Sequence, residues 1–86
     1  MKRDDPKATA KFFLDSAKGW KEVGYPYECA ESLYHLGTAS QSSGDPASAA
    51  AAFNEALETF ERLGARPYID RVLAAKAARS PYRRLP

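Results

Sequence analysis

The sequence predicts an all-α fold, with antiparallel helical hairpins stacked as a short solenoid of about four helices. Three observations carry this expectation. Apolar residues recur three and four positions apart over long stretches, the spacing of one helix face. Each stretch opens beside a proline and closes at a glycine or a cluster of turn residues. The pattern of the first half of the chain then returns in the second half, and no stretch shows the strict alternation of a strand.

The first helix begins at Asp5-Pro6. The Asp side chain can accept from the open amides of the first turn, and Pro has no amide to leave open. Its apolar positions Ala10, Phe13, Leu14, Ala17, Trp20 and Val23 fall on one stripe, and Gly24 ends it. Tyr25-Pro26-Tyr27 starts the second helix, which continues through Ala30, Leu33, Tyr34, Leu36, Gly37 and Ala39. Gln41-Ser42-Ser43-Gly44-Asp45-Pro46 is a turn, in which Gly44 supplies a left-handed residue while Asp45 and Pro46 open the next helix.

The third helix runs to Leu63, with Ala49, Ala52, Phe53, Ala56, Leu57, Phe60 and Leu63 inward and Glu55, Glu58, Glu61 and Arg62 outward. Gly64 stops it. Arg66-Pro67-Tyr68 opens a fourth helix carrying Tyr68, Ile69, Val72, Leu73 and Ala77, which Ser80-Pro81 ends. Residues 1–5 are then an N-terminal tail, 6–79 a helical domain and 80–86 a basic C-terminal tail.

A shift of 40 residues lays Phe13 on Phe53, Trp20 on Phe60, Val23 on Leu63 and Gly24 on Gly64, and a shift of 41 lays Pro26-Tyr27 on Pro67-Tyr68. A period in this range is the mark of a helical solenoid. Within it, residues 30–63 contain Leu33, Leu36-Gly37, Gly44-Asp45, and then Ala49, Phe53 and Ala56. This segment resembles a tetratricopeptide repeat: a large apolar residue, Leu-Gly where the helices meet, Gly-Asp at the turn, and a small-aromatic-small triplet. The small residues let two helix backbones approach, and Phe53 with Leu33 fills the space between them. The match departs at Ser40, where the family has an aromatic, so some loosening is expected there; the longer period implies an extended second helix.

Helix one then corresponds to the second half of a preceding repeat and helix four to the first half of a following one. A narrower resemblance runs from Trp20 to Ala30 and from Phe60 to Pro67. These stretches are similar to the repeat region near the C-terminus of large bacterial signalling ATPases, including LuxR-type regulators and multidomain nucleotide cyclases. The resemblance implies a scaffold role only, because the catalytic and DNA-reading modules of such proteins have no counterpart in these residues.

Composition excludes several classes. With 86 residues, 44% apolar and 28% charged, the chain is one small domain and neither disordered nor fibrous. No apolar run is long enough to span a bilayer, and the start lacks the apolar core of a signal peptide, so a cytoplasmic location is expected. The single Cys29 cannot form an intrachain disulfide and is read as core filler in preference to a reactive thiol. Five basic and no acidic residues follow Asp70, whereas the first 70 residues hold eight basic and eleven acidic ones.

There is no phosphate-binding glycine loop, no paired Cys or His at metal spacing and no nucleophile elbow, so no enzyme activity, cofactor or metal is expected. His35, the lone histidine, has no catalytic partner identifiable by spacing. In tetratricopeptide hairpins the first helix of each repeat lines the concave face. The resemblance therefore implies that Glu31, Tyr34, His35, Thr38 and Gln41 face a bound protein segment. Helices one and four lack hairpin mates, so Phe12, Trp20, Ile69 and Val72 are expected to form exposed end faces that favour a homodimer. Two alternatives stay open beside an interaction module. One is a remnant C-terminal fragment of a multidomain bacterial regulator, and the other a small nucleic-acid-binding protein using the basic end.

Overall fold

One turn design, used three times, divides the chain. Gly24, Gly44 and Gly64 all adopt positive φ, of 82°, 80° and 70°, the left-handed conformation that lets a helix close on itself and the chain reverse. In each case the following amide reaches back to a carbonyl of the last turn. Tyr25 donates to Trp20 at 2.9 Å, Asp45 to Ser40 at 2.9 Å and Ala65 to Phe60 at 3.0 Å. A proline stands in the first turn of the helix that follows each reversal, at Pro26, Pro46 and Pro67.

A computed structural model describes residues 5–77. It contains α1 (Pro6–Val23), α2 (Pro26–Ser42), α3 (Pro46–Leu63) and α4 (Arg66–Ala77), and among the described residues there is no strand. Asp5 caps α1 by accepting from Lys7 N at 3.1 Å. Asp45 caps α3, accepting from Ser48 N at 3.1 Å and Ser48 Oγ at 2.7 Å, and those bonds hold its carboxyl below the usual aspartate value. The expected basic tail at 80–86 and the stop at Ser80-Pro81 lie outside the described residues.

The helices pack in chain order, α1 along α2, α2 along α3 and α3 on α4. The all-α expectation of four stacked helices is what the structure shows, and α1, α2 and α3 end, and α4 begins, where the turn residues put them. α2 is the central element. Cys29, Ala30, Leu33, Gly37, Ala39 and Ser40 on it are all buried, and the core continues through Ala49, Phe53, Ala56 and Phe60 of α3. A trio of rings then ties three helices together: Phe60 stacks on Tyr68 at 5.1 Å, and Tyr27 meets Tyr68 edge-on at 5.2 Å and Phe60 edge-on at 6.0 Å.

The tightest approach is between α2 and α3. A Cβ on Gly37 would lie within 2.8 Å of three ring carbons of Phe53, a side chain that is only 1% exposed. Glycine is therefore required here by a neighbour and not by its backbone angles.

Three expectations are corrected. Ile69 and Val72, expected on an exposed end face, are buried, Val72 completely. Stacking of Tyr68 on Phe60 sets the phase of α4 so that these two side chains point into the core, and Leu73 is exposed in their place. Leu14, Val23 and Leu63, expected in the inner stripes, are 40%, 62% and 45% exposed: Leu14 borders an open groove between α1 and α3, and Val23 and Leu63 are the last residues of their helices, beside the turn glycines. Ser40 is not loosely held: it is 3% exposed, and its carbonyl accepts from Asp45 N and Ser43 Oγ.

Gly37→Ala should destabilise the fold by about 1–3 kcal/mol, the usual cost of overpacking, in a urea titration. Adding Phe53→Leu should recover part of that loss relative to Phe53→Leu alone, because the two positions touch and their effects are coupled.

Candidate functional site

α2 presents its remaining face at the front of the stack, where Glu31, Tyr34, His35, Thr38 and Gln41 share one stripe at spacings of three and four. The structure brings all five together, and all five are half-buried. The flanking helices account for the burial. Phe13 of α1 stacks on His35 with ring centroids 4.9 Å apart, and Tyr34 meets the same imidazole edge-on at 5.1 Å. On the other side Gln41 donates from Nε2 to the carbonyl of Ala75 in α4 at 3.1 Å.

Several of these groups are already engaged within the chain. Thr38 donates from Oγ1 to the carbonyl of His35 at 2.9 Å, a bond internal to α2. Gln41 is a clasp between α2 and α4 before it is anything else. Glu31 and the Tyr34 hydroxyl remain as the stripe's polar groups at the front surface.

Sequence reasoning missed the continuation of the stripe at Tyr27, Tyr68 and Arg71. Tyr27 begins the same stripe, Tyr68 lies beside it, and the Arg71 guanidinium sits 5.2 Å from the centre of the Tyr68 ring. Its signal was present in the chain, since the repeat shift lays Tyr27 on Tyr68. Because Tyr27 touches Tyr68 at one end and Gln41 reaches Ala75 at the other, α2 and α4 run parallel and form one front surface. Interaction with the Tyr68 hydroxyl, together with burial and the nearby carboxylates of Glu31 and Glu28, raises the Tyr27 hydroxyl from 10.0 to about 12.

The back of the stack has a second concavity. A groove of about 690 Å³ runs between α1 and α3, and its floor is Leu33, Leu36 and Ser40 of α2. Ser40, on that floor, is itself buried. Cys29, at a smaller hollow near the first turn, is buried, and burial, helped by Glu55, pushes its thiol pKa up, away from the reactive thiolate. Among the described residues no group of three or more His, Cys, Asp or Glu is placed to hold a metal ion, and no helix is long and apolar enough to cross a membrane.

Of the four end-face residues, Phe12 and Trp20 are at the surface of α1, while Ile69 and Val72 are in the core. Trp20 is covered on one side by Tyr25, with centroids 5.6 Å apart. No protein-family model, curated protein or solved structure matches the chain.

The Tyr27 contact predicts an alkaline dependence of stability. Below pH 10 the residue is neutral in both folded and unfolded chains, so its contribution is constant; between 10 and about 12 only the unfolded chain ionises, and stability falls as pH rises. Urea titrations across that window should show the decline, and Tyr27→Phe should flatten it.

Proposed function

We propose that the chain is a non-enzymatic protein-protein interaction module of tetratricopeptide type, whose front face on α2 and α4 takes an extended segment of another protein. One observation carries the reading. α2 and α4 lie parallel with Tyr27 on Tyr68, and a continuous row of aromatic rings and polar groups runs across both helices. The Gly37–Phe53 approach and the small residues around it support the tetratricopeptide comparison, since they are the feature that gives such hairpins their spacing.

The ligand chemistry follows from the row. Tyr34, Tyr27 and Tyr68 offer rigid amphipathic surface at low entropic cost, Glu31 accepts, and Arg71 offers a cation. A peptide with an exposed backbone, at least one apolar side chain and charges of both signs suits this set. The resemblance to the repeat regions of bacterial regulators supports a role in signalling or transcriptional regulation, and a cytoplasmic location agrees with that role.

Selection of binders from a displayed random-peptide library tests the proposal. Selected peptides should lose about tenfold or more in affinity against Glu31→Arg and against Arg71→Glu, with circular dichroism unchanged. A library that yields no binder, or binders indifferent to both substitutions, would overturn it.

A further inference from the structure

We infer that the outer face of α1 is a self-complementary seam on which a second copy of this chain packs its own α1 in the opposite direction. The inference goes beyond the peptide-binding face and does not depend on it. It starts from burial: α1 turns Ala17 into the core and leaves Phe12 63% and Val23 62% exposed. Thr9, Phe12, Ser16, Gly19 and Val23 recur at spacings of three, four, three and four, the seam of a helix that packs along another helix.

The internal repeat shows what kind of element covers such a face. Forty residues on from Thr9, Phe12 and Ser16 stand Ala49, Ala52 and Ala56, and α2 buries all three. Helix-on-helix packing is thus the use this fold makes of the surface. Phe12 in place of Ala52 changes the requirement, however, because a covering helix must now offer a gap for a ring.

α1 itself offers that gap. Gly19 has nothing within 4 Å of where a Cβ would stand. If two copies of α1 lie antiparallel about a twofold axis midway between positions 16 and 17, Phe12 of each enters the space between Gly19 and Val23 of the other. Ser16 meets its own copy near the axis, where small side chains permit close approach.

Charge selects the same axis independently. Beside the seam run Lys11, Asp15, Lys18 and Glu22, alternating in sign at spacings of four, three and four. Read in reverse, the series is its own complement. The axis between 16 and 17 sets Lys11 against Glu22 of the second copy and Asp15 against Lys18 of the second copy, and the symmetry repeats both pairs. Within one chain Lys11 also pairs with Asp15 at 3.1 Å, an exposed contact that a second copy would extend into a network. Packing and charge, which share no residue here, therefore agree on one register. Among the described residues the opposite end of the stack lacks this property: around Leu73, α4 exposes Asp70, Arg71 and Ala74.

A helix of 18 residues is about 27 Å long, so the seam buries less than the roughly 800 Å² per partner of a standard interface. Association is accordingly expected in the micromolar range or weaker. Sedimentation equilibrium over a micromolar-to-millimolar concentration series tests it on the whole chain. Wild type should show a monomer-dimer equilibrium, and Asp15→Lys and Lys18→Asp should each weaken it about tenfold, because each sets like charges in apposition twice.

Mixing those two variants should restore a heterodimer near wild-type affinity. The lysine introduced in one copy would then face the aspartate introduced in the other, and the unchanged Lys18 of the first would face the unchanged Asp15 of the second. Misfolded variants could not produce that rescue. As a measurement that needs neither variant, oxidised Ser16→Cys should give a disulfide-linked dimer, and Ser48→Cys on α3 should not. A wild type that stays monomeric throughout, single variants that associate like wild type, or a mixture that fails to recover would each overturn the inference. Peptide binding at the front face should be unchanged in Asp15→Lys and Lys18→Asp, so failure of either proposal can be told from failure of the other.

Discussion

The close approach of α2 and α3 at Gly37 and Phe53 is the contact on which the remaining geometry depends. A ring that occupies the space of a missing side chain draws two helix backbones together, and dispersion contacts accumulate along their length as a result. Ala49, Ala52 and Ala56 keep that distance constant along the hairpin, each being nearly or fully buried. Once α2 and α3 are fixed, the turns at Gly24 and Gly64 leave α1 and α4 little choice of place. Each folds back onto its neighbour, and the Tyr27, Tyr68 and Phe60 rings set the register of the last helix against the first hairpin.

Central placement of α2 also determines the character of the front face. Its two edges are covered by α1 and α4, so the stripe from Tyr27 to Gln41 is half-buried. Stacking of Phe13 on His35 and the Gln41 clasp to Ala75 restrict side chains that would otherwise be mobile. Such restriction costs the face some of its hydrogen-bonding groups. It also lowers the ordering entropy a ligand must overcome, because rings already held in place lose little further freedom on binding.

The helices and their ends were legible in the sequence because they are written in local chemistry. A left-handed glycine, a cap and a proline act within a few residues, and nothing distant overrides them. The hairpin contact was legible too, through Gly37 and the small-aromatic-small triplet, since a resemblance to a known repeat encodes it. What the sequence did not disclose was the rotation of the outer helices. α1 carries apolar residues around more than half its circumference, so periodicity alone leaves open whether Leu14, Val23 or Phe12 faces the core. In α4, one stacking contact between Tyr68 and Phe60 decides the phase and turns Ile69 and Val72 inward. The identities of the front-face residues were readable, whereas their internal partners on α1 and α4 depend on tertiary neighbours that no spacing rule reaches.

The two ends of the stack differ in a way that bears on both surfaces. Repeat proteins end in units whose outer face is polar, because an uncovered apolar face invites association. α4 exposes Asp70 and Arg71, the latter held over Tyr68, together with Leu73, whereas α1 exposes Phe12 and Val23. The open end is also joined to the front face. Phe12 touches Phe13 edge-on at 5.1 Å, and Phe13 is the ring stacked on His35. One helix therefore carries both the end seam and one wall of the front face. The Phe13–His35 stack is internal to the chain, so that wall is set by the packing of α1 on α2 whether or not a second copy covers the outer face.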